Sequence, residues 1–547
     1  MINILKNNKF TLLIIVISIF IAKIFESLSI ISLAPLVNFY IHDNLSDNNF
    51  DIFGYKFSYD QIFKDVTLIK LVLFTAFLFF LKSILAFISR VLSVSFAYNT
   101  SRFIMNDLYY KFINTDWLTF NNSNTEKISN TINTESEKFA LMLEDLYELF
   151  VNLITLLLFL LICFYISWEL TLLSSILFIT FIYPNYFLEK IIKKHSDKIL
   201  HSKNYIYSIL SETFKLFKNI QILTLHSSFL FNFKNETYKW YNNFKKLVLI
   251  KSINTLYIEP GIIIIFGIIL FFSKVVFVLE ISSLFVFIFF FKRISDSIKN
   301  LINIRNNYKS YLPSLKQYEE IQKNLKSFKN GDLKFVKLNQ DIKFEKISFK
   351  YKQKLIFNEL SFKIKRNKIN IIVAPSGYGK TTIINLLLGL MKVTKGKILL
   401  NDVNINNYNI FSFRKKISVV TQDLSFSNTS VYSFAKLINP LVKRKDLDHQ
   451  LKKFKLNYIK QKKLGRHTVK LSGGEQQRLR ISIALTLKNE ILIFDEPTSS
   501  VDQENKDIII KEIIKESTKS TLIIVTHDNY LKNKLKNNVD SNFIRLK

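Results

Sequence analysis

The stretch Ile369–Leu390, INIIVAPSGYGKTTIINLLLGL, decides how the chain is read. INIIV has the length and unbroken apolar texture of a buried strand, and IINLLLGL carries apolar residues at helical spacing. Between them stands APSGYGKTT, Ala374–Thr382, which departs from the phosphate-binding pattern G-x-x-x-x-G-K-[ST] only at Ala374, where glycine is usual. Backbone amides along Pro375, Ser376, Gly377, Tyr378 and Gly379 and at the start of the helix are expected to cradle an anion, reinforced by the helix dipole. Lys380 is suited to the β- and γ-phosphates, the Thr381 hydroxyl to Mg²⁺, and Thr382 completes the first turn. Ala374 stands at the strand end, ahead of most of these amides. Its methyl matters only if the backbone there needs positive φ, so nucleotide binding is expected to survive.

Working outward, three more stretches set polar groups at strand or helix ends. ILIFDEP, residues 491–497, ends an apolar strand on Asp495 and Glu496, one carboxylate for Mg²⁺ and the next to polarise a water. LIIVTH ends another strand on His527, a position for sensing a γ-phosphate. KLSGGEQQR, residues 470–478, offers the Ser472 hydroxyl and the amides of Gly473 and Gly474 at a helix start, a second anion site. Short strands such as IKFEKISFKY, LSFKIK and TLIIVTH alternate with helices around them, which predicts an α/β domain with a largely parallel core.

Upstream the texture differs. The 547-residue chain is 49% hydrophobic with 52 phenylalanines, and apolar runs of the roughly 20 residues needed to cross a bilayer recur near 10–40, 66–98, 139–166, 168–189, 247–273 and 277–295. Six membrane helices are therefore expected, the first retained because no cleavage site follows it. The connection at 41–65 carries Asp43, Asp47, Asp51, Asp60 and Asp65 against two lysines, whereas 190–246 holds Lys190, Lys193, Lys194 and Lys198. The segments 99–138 and 190–246 and both chain ends are thus read as cytoplasmic. Helical patterns in SRFIMNDLYYKFI and SILSETFKLFKNIQIL predict that the membrane helices run on past the bilayer. The polar, amphipathic pattern after 295 breaks at SFKNGD, which places the division at 1–330, a membrane domain, and 331–547, a nucleotide-binding domain. The formal charge of +33 admits nucleic acid, an anionic membrane or an acidic substrate, though abundant Lys, Asn, Ile and Phe together also fit an AT-rich genome. The lone Cys163 excludes an intramolecular disulfide.

With these motifs in this order, the chain resembles a bacterial ATP-binding cassette exporter carrying one membrane domain and one cassette. The resemblance implies a six-helix all-α membrane domain followed by an α/β P-loop domain, with ATP and Mg²⁺ as cofactors. Tyr351 resembles the aromatic that stacks on adenine. Gln422, in VVTQD, resembles the Q-loop glutamine, shared between metal and catalysis. Ser472, Gly473, Gly474 and Glu475 resemble the signature, Asp495 the Walker B aspartate, Glu496 the catalytic glutamate, Asp502 the D-loop aspartate and His527 the switch histidine. In this family the signature of one cassette closes over the phosphate loop of another. A homodimer with two competent sites is therefore implied, and a heterodimer is admitted. Departures from the pattern are Ala374, RNK at 366–368, Glu475 in place of glutamine, and Arg466 and Thr468 in a segment that normally touches the membrane domain.

FESLSIISLAPLVNFY and FKNIQILTLHSSFLFNF are similar to stretches of exporters that flip lipid-linked oligosaccharides, and the chain begins directly with a membrane helix rather than a protease domain. Lys23, Lys82, Arg90, Lys292 and Arg293 lie in or near membrane helices and are candidates for an anionic headgroup. Alternatively, Lys23 pairs with Glu26 one turn on, and Lys292 with Arg293 marks the cytoplasmic interface. The expected function is ATP-driven export of a lipid-linked or amphipathic, anionic substrate across the bacterial inner membrane, the cassette being cytoplasmic. The rivals are a multidrug or peptide exporter and a soluble cassette ATPase acting on nucleic acid, which six apolar runs argue against.

Overall fold

The computed structural model describes residues 9–42, 49–52, 55–58, 68–182, 185–275, 281–325, 330–351, 354–373, 375, 378–421, 429–460, 462–463, 471–538 and 541–546. Two compact units result, one of residues 1–114 with 122–326 and one of residues 115–121 with 327–547.

The first unit is helical apart from an antiparallel pair of short strands, β1 (Asn49–Ile52) and β2 (Tyr55–Ser58). Lys9–Ile31 and Leu33–His42 are separated at Ser32; Pro35, in the first turn of the second helix, lacks the N–H that would bond back to residue 31. Leu68–Ile113 follows, and its 46 residues make a rod of about 69 Å at 1.5 Å per residue, well beyond a hydrocarbon core of about 30 Å. Thr125–Asn130 continues through a five-residue π turn, Thr131–Glu135, into Glu137–Ile166. Trp168–Ile182, Asn185–Ile222, His226–Val275 and Ile281–Asn324 complete the set, the last two with Pro260 and Pro313 inside them.

Where they are described, all six expected apolar runs fall on helix, but among the described residues only Lys9–Val37, Leu68–Ile113, Thr125–Ile166 and His226–Val275 are long and apolar enough to cross a membrane. The fourth run sits on the shorter apolar helix Trp168–Phe178, beyond which Glu189 and Lys190 bring charge. The sixth holds eleven residues from Ile281 before Lys292 and Arg293. Phe159, Ile265, Phe287 and Phe290 form a fully buried core, whereas Leu73, Phe80, Phe87, Leu161 and Phe271 face outward, as helices solvated by lipid require.

The second unit holds two sheets. β3 (Ile342–Tyr351), β4 (Lys354–Ile364), β6 (Lys395–Leu400) and β7 (Val403–Asn404) form an antiparallel sheet ordered β4-β3-β6-β7. β5 (Ile369–Val373), β8 (Ile417–Val420), β9 (Ile491–Asp495), β10 (Thr521–Val525) and β11 (Ser541–Arg545) form a parallel sheet ordered β11-β5-β10-β9-β8. Both faces of that sheet are covered, so its strands are apolar without alternation. Ile491, Ile493, Ile523 and Val525 enter one core with Ile383 and Phe413, and Leu492, Phe494, Leu522 and Ile524 enter another with Leu479 and Ile509. The carboxyl ends of β5, β9 and β10 thereby lie side by side in register, where open α/β sheets bind ligands.

Candidate functional site

β5 delivers the chain to the phosphate loop. Ala374, Ser376 and Gly377 lie outside the described residues; Pro375 and Tyr378 are joined by Tyr378 N donating to the Pro375 carbonyl at 3.4 Å. Gly379 caps helix Lys380–Leu387 at φ +78°. A Cβ there would lie 2.5 Å from Phe357 Cζ and 2.7 Å from Ile356 Cγ2, so both the left-handed backbone and the close approach demand glycine. Lys380, Thr381 and Thr382 follow as the first turn, whose amides have no intrahelical acceptor and point at any anion on the axis.

β9 and β10 supply the acid and the histidine. Asp495 is the last residue of β9. Glu496 is buried and left-handed, φ +52°, and its backbone is fixed on both sides. Its N–H donates to the Val525 carbonyl at 2.9 Å, and its carbonyl accepts from Ser499 N at 3.1 Å and Gln477 Nε2 at 3.3 Å. Its carboxylate accepts from Thr526 Oγ1 at 3.1 Å and from His527 N at 3.1 Å, with His527 Nδ1 at 2.7 Å from Oε1. Lys380 Nζ lies 3.6 Å from the same oxygen. The fold therefore gathers Lys380, Glu496 and His527, three residues more than a hundred positions apart at the extremes, into one cluster.

The signature stands at another helix start. Ser472 caps helix Gly473–Thr486 in a reciprocal box: Ser472 N donates to Glu475 Oε2 at 2.7 Å, and Glu475 N donates to Ser472 Oγ at 3.3 Å. Tyr458 Oη donates to the other carboxylate oxygen. That bond and the Ser472 amide hold the Glu475 carboxyl below the usual range, while burial and the same carboxylate push the Tyr458 phenol up to about 12. A Cβ on Gly474 would come 2.8 Å from the Ser500 carbonyl oxygen, so the signature packs backbone to backbone on the loop after β9. Asp502 caps helix Gln503–Glu516, accepting from Asn505 Nδ2 at 2.7 Å, which lowers its carboxyl pKa. Arg478 Nη1 ties the two helices by donating to Asn505 Oδ1 at 3.2 Å and to the Phe454 carbonyl at 2.8 Å.

Tyr351 ends β3 with its ring partly exposed, and no described contact joins it to the cluster. Gln422 lies outside the described residues, as do Arg466 and Thr468. Tyr458, Thr526, Gln477 and Arg478 were not legible as site residues. Thr526 had a local signal, standing at the β10 end beside His527, and Gln477 and Arg478 had one as the last residues of KLSGGEQQR. Among the described residues no three His, Cys, Asp or Glu side chains converge on a metal position. The donors present, one hydroxyl at Thr381 and one carboxylate at Asp495, fit a hard cation that takes one or two protein oxygens and completes its shell with phosphates and water.

Residues 12–298, more than half of the chain, match the family described as the ABC transporter transmembrane region, and residues 357–499 match the one described as ABC transporter. The chain is an ABC transporter subunit. Along 99% of its length the transporter superposes on 94% of a solved bacterial Atm1-family ABC exporter with ATP bound, at a TM-score of 0.80 and 16% identity, which establishes the fold. It is 26% identical over 422 residues to the heterocyst differentiation ATP-binding protein HepA of Nostoc sp., covering 75% of this chain and 69% of that one. It is 28% identical over 240 residues to the ATP-dependent lipid A-core flippase of Haemophilus influenzae, covering 42% of this chain and 41% of that one. With the multidrug resistance-like ATP-binding protein MdlA of Buchnera aphidicola it shares 32% identity over 198 residues, 34% of each chain. The match therefore spans less than two thirds of the length of the last two relatives. The transporter is a multi-pass membrane protein of the exporter type whose cassette binds ATP and couples its hydrolysis to transport.

Proposed function

We propose that the chain is one half of a bacterial exporter, pairing with a second copy to move a lipid-linked or amphipathic, anionic substrate out across the inner membrane. The observation that carries the reading is Glu496, held by Thr526 and His527 beside Lys380. A carboxylate fixed in that way orients an attacking water toward phosphates seated on the helix at Lys380. Thr381 and Asp495, with Gln422, would hold Mg²⁺, which neutralises charge on the transferring phosphoryl group. Lys380 holds the β- and γ-phosphates in line, and Tyr351 stacks on the adenine. Ser472, Gly473 and Gly474 of one chain close over the phosphate loop of the other, and Asp502 fixes the joining loop. The intact set of motifs favours a homodimer, with a heterodimer as the alternative.

The acidic 41–65 connection and the basic 190–246 segment support a cytoplasmic cassette. Similarity to a lipid A-core flippase supports a lipid substrate, and similarity to MdlA keeps a multidrug or peptide exporter as the second reading. The test is ATP turnover of the full chain in lipid nanodiscs with lipid-linked oligosaccharide, amphipathic drugs or short peptides. Stimulation by the glycolipid is expected; stimulation by drugs or peptides alone would overturn the flippase reading.

A further inference from the structure

Four charged side chains meet within the apolar part of the first unit. Glu26, on helix Lys9–Ile31, is wholly buried. Lys23 Nζ donates to its Oε2 at 2.7 Å, while Arg293 Nη2 from helix Ile281–Asn324 lies 3.1 Å from Oε1 and Lys82 Nζ from helix Leu68–Ile113 lies 3.7 Å from it. The three helices bring these groups to one depth. At 1.5 Å per residue, Lys82 is about 21 Å along its helix from Leu68, Arg293 about 18 Å from Ile281, and Glu26 about 17 Å from Val37 at the end of its apolar span. That is well inside a hydrocarbon core of about 30 Å.

The structure re-sorts the membrane cations. Lys23 does pair with Glu26, as its spacing suggested, but Arg293 joins the same carboxylate instead of marking an interface. Lys292 pairs with Asp296 at 2.8 Å. Arg90 is held by Glu144 at 2.8 Å and Glu148 at 3.3 Å, so its charge is answered and it leaves the group of headgroup candidates.

Three cations share one carboxylate, so two positive charges lack a partner of opposite sign among the described residues. One cation would have sufficed to neutralise Glu26, and intramembrane charge without a partner is costly. Nor is the carboxylate saturated: Glu26 Oε1 accepts no hydrogen bond, so Lys82 and Arg293 are drawn to it by charge while their N–H donors stay available. Their side chains remain 23% and 44% exposed, against 1% for Glu26. The accessible side of the cluster is therefore cationic, with a planar guanidinium fork beside a mobile ammonium, a pairing suited to phosphate oxygens.

We propose that this Glu26-centred cluster binds the phosphate groups of a ligand carrying two or more negative charges, a phosphate monoester or diphosphate. The proposal deepens the flippase reading and rests on it only for the lipid source of that phosphate.

The test is binding to the purified full chain in nanodiscs of zwitterionic lipid, with a polyprenyl diphosphate, the matching polyprenol and inorganic pyrophosphate as probes. The diphosphate lipid is expected to bind and the polyprenol not. Lys82→Ala and Arg293→Ala each weaken binding at least tenfold; Lys82→Met reports the same loss should the alanine variant fail to fold. Glu26→Gln, by removing the competing carboxylate, tightens binding, and Lys292→Ala leaves it unchanged. Equal affinity for the polyprenol, or unaltered affinity in both cation variants, would overturn the proposal. Binding of pyrophosphate without the lipid keeps the site and makes its ligand a soluble anion. If lipid-linked oligosaccharide stimulates ATP turnover while no diphosphate binds, the site falls and the flippase reading stands. Charge-dependent binding with no stimulation by any lipid has the opposite meaning.

Discussion

At the scale of single residues, the proposed chemistry concentrates on Glu496. Glu496→Gln keeps the shape and the bond from Thr526 but removes the charge, and is expected to lower ATP turnover about 10²- to 10⁴-fold while ATP still binds; phosphate release and retained nucleotide measured on one sample separate the two effects. Glu475 makes a second case, with a pH signature. Its folded-state pKa is depressed, chiefly by Tyr458, so the stability it contributes is present above the unfolded carboxyl pKa of about 4.3 and is lost as pH falls through the lower folded value. Tyr458→Phe removes the main cause. The wild type should lose more of its thermal midpoint between pH 7 and pH 3 than the variant does, and equal losses would refute the coupling. The residue types at strand and helix ends, Lys380, Asp495, Glu496 and His527, were legible because motif and secondary structure coincide there. Tyr458 was not, because a contact across seventeen positions between a short helical turn and a helix cap leaves no periodic trace.

At the scale of elements, two glycines set how closely segments approach. Gly379→Ala places a side chain on a left-handed backbone against Phe357, a cost of about 1–3 kcal/mol that should weaken ATP binding about 10- to 100-fold, read by nucleotide titration. Gly474→Ala instead pushes a methyl onto the Ser500 carbonyl; it should lower turnover with ATP affinity nearly intact, and an equal loss of affinity would place the defect in the phosphate loop. The parallel sheet was legible from its unbroken apolar strands, and the long helices from their periodicity beyond the bilayer. The π turn at Thr131–Glu135 was not, since it depends on a local hydrogen-bond shift that composition does not encode, whereas the break at Ser32 has its cause in Pro35, which the apolar run overshadowed. The fourth and sixth apolar runs lie on helices whose described apolar parts are shorter than a full span, so the structure neither adds to nor removes them from the expected six.

At the scale of the whole molecule, one phosphate loop and one signature per chain mean that pairing is testable by mixing. Chains with Lys380→Ala and chains with Ser472→Arg should each be inactive alone. Mixed, they should regain up to about a quarter of wild-type turnover, because half of randomly formed pairs hold one intact composite site; no recovery would count against paired sites. The Lys23–Glu26 pair could be read from spacing, whereas its junction with Lys82 and Arg293 needed three helices to meet and was invisible along the chain. One short segment joins these scales. From Glu496 to Ser500 the backbone turns left-handed at both ends, φ +52° and +60°, with Ser499 bonded back to Glu496 and Ser500 seated against Gly474. In the proposed pair of chains, Glu496, proposed to act on one ATP, is then four positions from Ser500, the seat of the signature that would clasp the other. Such a linkage works as a brace: ATP clasped at one site stiffens its twin without being required by it, and turnover plotted against ATP concentration should rise sigmoidally.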